Sequence, residues 1–515
     1  MGKIFKKQPH IVEKIFRIIP GMVIWLLLTS PIWLSPTLPA FLANFIIVFA
    51  VYWLYRTIIF VIGLVIGYNK FQKAKHQDWL KKCNKLNFNK LPNQKTLPQT
   101  SKLPKHLIVI PIGSAKYNLL KQTLDAIKNQ NYPKEYIYIS LSFEQRLVEH
   151  DFKYYKKLME RIQREYSEFE DNLMIFTHPK NIKNEAIGAA ANRSWGTKKA
   201  VDALEKRNMR IEDFIITSPD EDLKFHPEYL ATVSYQYLTT EDREKKFYQT
   251  AVYLFHNNYW KVPLIIRVWS MSLSLPVLSS SVTHRTDRET WSCYSINLKV
   301  MKEVNYWNTA ISIDDTPFYW RPFDYFDGDF ECITFFVPVF ADAVYHPNKI
   351  KNYKAQYKQL VRWGWGIITF PIAMRVLLTN KKIPLLTKLK KLSVMFEIMI
   401  LTRLAAILLT IAIPLITIMN PDFSYTAIAY SLPETLSSIM SMLTFFMIPT
   451  IFYKFLLLPK VPKKYNKLRF ILEFIMEIPM HILVFYTFAF LPFLVGPTKM
   501  MLGYSYQFVI TEKKE

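Results

Sequence analysis

Three groups of polar residues carry side chains whose types and spacing suit catalysis. The first is Asp220-Glu221-Asp222, which follows an apolar run that ends at Thr217. Carboxylates one residue apart at the end of a strand can both reach a hard divalent cation, whose other positions stay open for phosphate oxygens. Asp220 and Asp222 are therefore candidate ligands of Mg²⁺ or Mn²⁺. The alternative is a solvated turn of three acids.

The second group is the pair Asp314-Asp315. Adjacent carboxylates repel each other, so one of them can be held at a raised pKa and accept a proton from an attacking hydroxyl group. Both are candidate catalytic residues. Either could instead cap the helix that follows.

The third group is the pentad Gln359-Leu-Val-Arg362-Trp363, a Q-x-x-R-W pattern just before the sequence turns apolar. Gln359 and Arg362 can hydrogen-bond a diphosphate or a saccharide, and the face of Trp363 can stack on a pyranose ring. The alternative is an aromatic belt at a membrane surface. Such a belt does not require Gln and Arg three residues apart.

Glu144 is a further candidate, at the end of a predicted strand. There an acid can accept hydrogen bonds from a nucleotide base or ribose. Pairing with Arg146 explains it equally well.

These groups need a scaffold, and the middle of the chain predicts one. Apolar runs alternate with helical patterns: we predict strands at 106–111, 136–143 and 213–217 and helices at 119–129 and 151–169. Such alternation favours a mostly parallel sheet with crossover helices, whose ligands lie at the carboxyl ends of the strands. The sequence has no G-x-G-x-x-G pattern and no Walker loop, which argues against a dinucleotide or P-loop fold.

Apolar blocks on both sides of this domain predict a membrane protein. Of the 515 residues, 50% are apolar, more than a soluble protein usually needs. We expect crossings at about 18–34, 40–67, 394–419 and 432–458, an interfacial helix at 367–378, and a last apolar stretch at 470–495.

The formal charge of +25 comes with lysines and arginines beside the apolar blocks. This positive-inside pattern places the amino terminus and the middle domain in the cytoplasm of a multi-pass inner-membrane protein. The lipid bilayer accounts for these charges, and no nucleic acid is expected, since no nucleic-acid motif accompanies them. The three widely spaced cysteines, Cys83, Cys293 and Cys332, indicate reduced thiols and no disulfide framework or zinc site.

Taken together, the motifs resemble those of the processive family 2 glycosyltransferases, the group that includes cellulose and hyaluronan synthases. The likeness runs from residue 108 to the carboxyl terminus. The matching motifs are Gln130-Asn-Tyr-Pro133, Asp220-Glu221-Asp222, Asp314-Asp315, the Gln359–Trp363 pentad and Phe508-Val-Ile-Thr-Glu-Lys513, which is similar to the F-x-V-T-x-K gating loop of cellulose synthases.

The resemblance implies a GT-A glycosyltransferase domain, of mostly parallel sheet with crossover helices, inserted between α-helical transmembrane segments. It divides the chain into an N-terminal membrane region with two transmembrane helices (1–70), a cytoplasmic GT-A domain (71–350), interfacial helices with the pentad (351–393), a C-terminal transmembrane region (394–503) and a cytoplasmic gating-loop-like tail (504–515). A cytoplasmic tail requires 470–503 to be a hairpin, or an interfacial helix plus a displaced span.

Roles follow from the same resemblance. Asp315 would be the general base and Trp363 would lie beneath the acceptor sugar. The metal and the donor diphosphate would be held by Asp220 and Asp222. The remaining donor-binding residues would be Glu144, Gln359, Arg362, Thr511 and Lys513, and the gating loop would comprise Phe508, Thr511 and Lys513.

Two segments depart from the family pattern. The loop at 111–116 lacks the acid that usually contacts the nucleotide, and the segment 184–195 lacks the usual lysine before its asparagine.

The expected function is metal-dependent, inverting transfer from a UDP- or GDP-sugar to a growing glycan, coupled to secretion of the polymer. A second hypothesis keeps the chemistry but replaces the polymer with a lipid-linked or single-addition acceptor. A third is a non-catalytic membrane scaffold or transporter that has kept the fold.

Overall fold

The computed structural model describes residues 9–113, 116–169, 171–283 and 288–506. Its middle part is built on a large sheet, and the strands expected at 106–111, 136–143 and 213–217 are confirmed. The strands are β1 (Lys105–Ile112), β2 (Ile137–Glu144), β3 (Leu173–His178), β4 (Phe214–Thr217), β5 (Lys224–Phe225), β6 (Lys246–Thr250), β7 (Tyr253–Leu254), β8 (Ser295–Asn297), β9 (Glu331–Phe335) and β10 (Val339–Phe340).

The large sheet has the strand order β3-β2-β1-β4-β8-β6-β9. The first four strands are parallel, β8 runs antiparallel to both β4 and β6, and β6 pairs with β9 in parallel. The sheet is therefore mixed, with its parallel half as expected. A small second sheet has the order β5-β10-β7.

Helices connect the strands and extend the chain on both sides. In chain order they are α1 (Pro9–Trp33), α2 (Pro39–Lys75), α3 (Trp79–Asn84), α4 (Tyr117–Lys128), α5 (Gln145–His150), α6 (Phe152–Glu165), α7 (Ala189–Lys206), α8 (Tyr229–Thr239), α9 (Leu264–Thr283), α10 (Leu298–Glu303), α11 (Asp315–Phe318), α12 (Trp320–Tyr325), α13 (Lys349–Gly364), α14 (Thr369–Thr379), α15 (Leu385–Phe396), α16 (Thr402–Met419), α17 (Ala427–Leu456), α18 (Lys467–Val484) and α19 (Leu491–Met501).

Both faces of the sheet are covered, as strand β1 illustrates. Successive side chains of a strand point to opposite faces, and here Ile108 and Ile110 join one apolar cluster while Leu107 and Val109 join another. All four are buried. An apolar run without polar alternation is what a sheet covered by helices on both sides requires.

Among the described residues, seven helical runs are long and apolar enough to cross a membrane, by length and composition. They are His10–Trp33, Pro39–Lys75, Leu264–Thr283, Lys349–Thr379, Leu385–Met419, Ala427–Leu456 and Lys467–Met501. The expected interfacial helix at 367–378 belongs to one of these runs. Its Ala373, Val376 and Leu377 are buried against the apolar cluster around Trp320 and Phe323.

Helix α9 is a candidate span that the sequence patterns did not single out, and it lies within the range predicted for the catalytic domain. It packs on α2 at two glycines of a G-x-x-x-G pattern. A Cβ at Gly63 would lie 2.8 Å from the Ser279 carbonyl oxygen, and Gly67 abuts Leu278. Ser279 also donates a 2.7 Å hydrogen bond to the Phe60 carbonyl. Small residues permit this close helix approach.

The hairpin expected within 470–503 is wrong. This stretch is one continuous helical run, Lys467–Met501, in which a π-helical segment, Phe485–Phe490, joins α18 to α19. The π segment absorbs an extra residue without breaking the helix. The alternative, an interfacial helix plus a displaced span, likewise needs a break that this run does not contain.

Candidate active site

The two acid groups meet at a residue that lies between them. The guanidinium of Arg193 donates from Nη1 to Asp314 Oδ2 and to Asp315 Oδ1, both at 2.7 Å, and from Nη2 to Asp220 Oδ1 at 2.6 Å. The Arg193 side chain is 1% exposed. Carboxylates separated by more than 90 positions in the chain are thus brought together around one buried cation.

The surrounding charge keeps Arg193 ionised. Burial lowers the pKa of Arg193, but Asp314, Asp315 and Asp220 outweigh burial and hold that pKa well above its ordinary value. A buried charge is tolerated when it is paired and hydrogen-bonded in this way.

The first acid group follows β4, at the carboxyl edge of the parallel strands. The middle acid, Glu221, is turned back into the fold: its Oε2 accepts a 3.2 Å hydrogen bond from the Gly113 N–H, and its carbonyl accepts one from Thr123 Oγ1 at 2.7 Å. This arrangement separates Glu221 from its neighbours Asp220 and Asp222. The solvated-turn alternative does not describe Glu221.

Asp220 and Asp222 lie close to one hydroxyl group. The pKa of Tyr253 is raised well above its ordinary value by burial first and then by Asp222 and Asp220. Ser292 Oγ lies 3.3 Å from the Tyr253 hydroxyl and 3.5 Å from Asp220 Oδ2. The negative charges of Asp220 and Asp222 are therefore both close to the Tyr253 hydroxyl group.

This donor set fits a divalent cation that shares its coordination with a ligand. Asp220 keeps one carboxylate oxygen beyond the one that Arg193 uses, and its side chain is 43% exposed. Two carboxylates leave most positions of a hard cation to diphosphate oxygens and water. Within the described residues no group of three or more His, Cys, Asp or Glu forms a metal cluster, so a cation here would take its remaining ligands from water or from a bound diphosphate.

The second acid group begins helix α11, yet capping is not its role. Asp314 occupies the N-cap position without a side-chain capping hydrogen bond, and its carboxylate accepts from Arg193 instead. The pKa of Asp314 is raised, with burial as the main cause. Burial and the neighbouring Asp314 raise the pKa of Asp315 to about 7. Asp315 can therefore exchange a proton near neutral pH.

Asp315 is also anchored through its backbone, because Thr290 Oγ1 donates to its carbonyl at 2.6 Å. Thr290 follows α9 closely in the chain, and Ser292 lies beside Asp220. Before α9, Asn257 Nδ2 lies 3.4 Å from the Asp222 carbonyl. The segments at both ends of α9 thus touch the acids.

The pentad lies in α13, near Asp314 and Asp315. Ile313, the residue before Asp314, packs with Val361 against an apolar cluster that contains Trp365 and Met500. Gly364 seats the helix on α19: a Cβ there would lie 2.6 Å from the Pro492 carbonyl oxygen.

The pentad side chains have different surroundings. Gln359 is buried, and its Oε1 accepts from Gln356 Nε2 at 3.2 Å. With Asn352, which is fully buried, these two glutamines form an amide stripe along α13. Trp363 is half-buried against a cluster that contains Trp269 of α9 and Phe488 of the π segment. Arg362 is half-buried.

Glu144 ends β2 and pairs with Arg146, which is the alternative to nucleotide binding given above. Its Oε2 accepts from Arg146 Nη2 at 2.8 Å and lies 3.7 Å from His178 Nδ1. Burial raises the pKa of Glu144, but hydrogen bonds with His178 and Arg146 outweigh burial and lower it. His178 also contacts Glu185 at 2.9 Å. Glu144 is thus a member of a compact charged group at the carboxyl edge of the sheet.

The loop that follows the first acid group is braced by the Gln130-Asn-Tyr-Pro133 motif. Gln130 Nε2 donates to the His226 carbonyl at 2.9 Å, and the Asn131 N–H donates to the Pro227 carbonyl at 2.8 Å. The gating-loop residues Phe508, Thr511 and Lys513 lie outside the described residues.

Arg193 was not identified from the sequence. The sequence feature that could have indicated Arg193 is the missing lysine in 184–195. Acids gathered at one edge of a sheet need a positive charge, and without that lysine another residue must supply it. Arg193 follows the small residues Ala189-Ala-Ala and Asn192 directly. An arginine buried in such a segment needs a partner of opposite charge.

Neither a protein-family model nor a curated protein matches this chain. Among solved structures, it is similar to mannosyltransferase PcManGT from Pyrobaculum calidifontis in complex with GDP-Man and Mn²⁺. That similarity has 12% identity and a TM-score of 0.39, over 77% of this chain and 97% of the other. It is also similar to S. aureus TarS 1–349 in complex with UDP-GlcNAc, at 10% identity and a TM-score of 0.32, over 66% and 90%. At such scores the similarity carries no conclusion about this chain.

Proposed function

We propose that this protein is a membrane-embedded, inverting GT-A glycosyltransferase of family 2 type, which transfers sugar from a nucleotide-sugar donor to a growing polysaccharide. The observation that carries the proposal is the convergence of Asp220, Asp314 and Asp315 on Arg193 at the carboxyl edge of the sheet. Metal-binding acids beside a candidate base are what transfer from a sugar diphosphate requires.

On the donor side, Asp220 and Asp222 would hold Mg²⁺ or Mn²⁺ together with the diphosphate of a UDP- or GDP-sugar. The cation supplies positive charge against the leaving diphosphate. Gln359, Arg362 and Glu144 are proposed to line the rest of the donor site, and Thr511 and Lys513, with Phe508, to close over it.

On the acceptor side, Asp315 would take the proton of the attacking hydroxyl group. The acceptor oxygen bonds to the anomeric carbon as the bond from that carbon to the diphosphate oxygen breaks, so one displacement inverts the anomeric configuration. The proton passes to Asp315, and the nucleoside diphosphate leaves with the bonding electrons. Asp315 suits this step because its pKa is raised to about 7, near the pH at which general bases work best.

Trp363 is proposed to lie beneath the acceptor sugar, and the product to leave through the apolar helices. Sidedness in this proposal follows the basic residues beside the spans, which put the catalytic domain in the cytoplasm.

Product length is the experiment that tests the proposal. The purified, detergent-solubilised protein is given a panel of UDP- and GDP-sugars with Mn²⁺ or Mg²⁺, and its products are sized by gel filtration and mass spectrometry. Ladders that lengthen from a single donor support polymer synthesis. No product from any donor would sink the proposed activity and favour a non-catalytic scaffold.

A second candidate is single addition to a lipid-linked acceptor. It is favoured by α9, a candidate span whose following residues Thr290 and Ser292 contact Asp315 and Asp220. These contacts bring the acids close to a candidate membrane-spanning helix, where a lipid-linked acceptor would present its head group. Products one sugar longer than the acceptor, with no ladder, would establish this alternative.

A further inference from the structure

Arg193 does more in this structure than neutralise a buried acid. It bonds to the proposed base on one side and to a proposed metal ligand on the other. We propose that Arg193 is a positioning residue, a fixed cation that orients Asp315 and competes with the divalent metal for Asp220. The inference rests on the proposed function, because it assigns Asp220 to the metal and Asp315 to the acceptor.

The backbone that carries Arg193 is held in place by contacts of its own helix. Asn192 Nδ2 donates to the Ser142 carbonyl at 2.8 Å, and Ser194 Oγ donates to the Trp307 carbonyl at 3.2 Å. A Cβ at Gly196 would lie 2.8 Å from the Ser142 Cβ, so α7 is seated closely on β2. These contacts on both sides of Arg193 fix the point from which its side chain extends. The three ion pairs then hold the guanidinium between the carboxylates.

The shape of the guanidinium explains why an arginine is needed. Its planar fork presents several N–H groups at fixed angles, and here two nitrogens reach three carboxylates. A lysine ammonium is a point charge on a flexible stem and lacks the fixed angles at which the guanidinium bonds these three acids. Lysine should therefore retain the charge but lose much of the orientation.

Competition between Arg193 and a divalent cation for Asp220 follows from Coulomb's law. Asp220 Oδ1 is already bound to Arg193, so a divalent cation would bind a partly neutralised carboxylate beside a fixed positive charge. Like charges this close repel strongly in a partly buried site. Arg193 should weaken metal binding while it favours turnover, and removing it should move these two properties in opposite directions.

The test compares Arg193→Gln, Arg193→Lys and the control Lys198→Gln, an exposed lysine of the same helix. Mn²⁺ affinity is measured on the full-length protein by isothermal titration without donor, and kcat and KM by sugar transfer. For Arg193→Gln we expect at least ~10-fold tighter Mn²⁺ binding, since the acids lose a competing cation. We also expect kcat to fall by ~100-fold or more, the scale of a misplaced catalytic group.

For Arg193→Lys we expect wild-type-like Mn²⁺ affinity with a reduced kcat. Lys198→Gln should change neither. Weaker or unchanged Mn²⁺ binding in a folded Arg193→Gln variant would overturn the inference, as would full kcat in that variant.

Removing Arg193 alone leaves three acids without their cation, which threatens folding. The double variant Arg193→Gln/Asp314→Asn removes one of those negative charges and guards against this outcome. It too should bind Mn²⁺ more tightly than wild type, and weaker binding contradicts the inference.

The Mn²⁺ measurement needs no turnover, so the two proposals fail separately. Tighter Mn²⁺ binding in the variant of a protein that transfers no sugar would support the competition and reject the enzyme. Sugar transfer by the wild type, with no increase in the Mn²⁺ affinity of Arg193→Gln, would support the enzyme and reject the competition.

Discussion

Two regions meet at Ile313: the acid cluster around Arg193, and helix α13, which carries the pentad and is called the pentad helix. Different forces hold these two regions in place. In the acid cluster, Asp220, Asp314 and Asp315 are fixed by ion pairs to Arg193. The pentad helix is fixed by packing, through Gly364 against α19 and Trp363 against an apolar cluster.

This difference teaches what each region contributes. Charge-held carboxylates respond to pH, to metal ions and to the loss of a single partner. A packed helix responds to volume and hardly to charge. In the proposed mechanism the cluster would therefore carry the chemistry, while the pentad helix would set the distance between a bound sugar and the acids. The predictions below probe the charge-held region first.

The largest effect is expected for Asp315→Asn, which keeps the shape of the side chain and removes its basicity. The amide cannot accept the acceptor's proton, so kcat should fall by about 10²–10⁴-fold. Transfer kinetics at saturating donor measure this loss.

Asp329→Asn is the matched control, because Asp329 is exposed and pairs with Lys245 at 2.7 Å. Similar losses in both variants would show that the defect is not specific to the base.

A smaller effect is expected for Asp222→Asn, which removes one of the two carboxylates assigned to the metal. We expect the Mn²⁺ concentration needed for half-maximal rate to rise by about 10–100-fold, since a hard cation loses a charged oxygen ligand. Glu221→Gln is the control, because Glu221 is bound to Gly113 and not assigned to the metal. Equal sensitivity of the two variants would contradict the assignment.

Packing is probed by Gly364→Ala. The new Cβ would lie 2.6 Å from the Pro492 carbonyl oxygen, and relief of such overpacking costs about 1–3 kcal/mol. The melting temperature should fall while Mn²⁺ affinity stays at the wild-type value. Gly366→Ala, where a Cβ meets nothing within 4 Å, should melt like wild type. A loss of metal binding in Gly364→Ala would mean that the two regions are not separately held.

The smallest effect is a shift in pH dependence. As the proposed base, Asp315 would act in its ionised form, so kcat/KM should rise with pH through its pKa of about 7 and level off above it. Asp314→Asn removes a neighbouring negative charge that raises the pKa of Asp315, so the rise should move to lower pH. The pH–rate profiles of both proteins measure the displacement. A shift to higher pH would contradict the assigned cause.

The place of Asp220-Glu221-Asp222 in the fold could be predicted from the sequence because a strand end is a local feature. Residues after β4 must lie at the carboxyl edge of the sheet, whatever packs around them. Arg193 escaped prediction because its partners are distant in sequence and only the folded sheet brings them together. The burial of Gln359 was equally hidden, since a Q-x-x-R-W spacing fixes helix positions and not the neighbouring helices.

Membrane elements show the same limit. Periodicity and composition predicted α1 and α2, whose spans are long and uniformly apolar. Helix α9 could not be predicted because its serines lower its apolar character, although four of them, Ser270, Ser274, Ser279 and Ser281, are buried. For 470–503 the prediction of a hairpin, or of an interfacial helix plus a displaced span, rested on the expected position of the tail and not on the residues of the stretch itself, which form one helical run.

Anomeric configuration is the measurement that tests the central claim most directly. The purified protein is incubated with each UDP- or GDP-sugar, with Mn²⁺ or with EDTA, and the product linkage is read by NMR. The account predicts consumption of at least one donor, abolished by EDTA, with a linkage of configuration opposite to that of the donor. A linkage that retains the donor configuration, or no consumption of any donor by the folded protein, would contradict it.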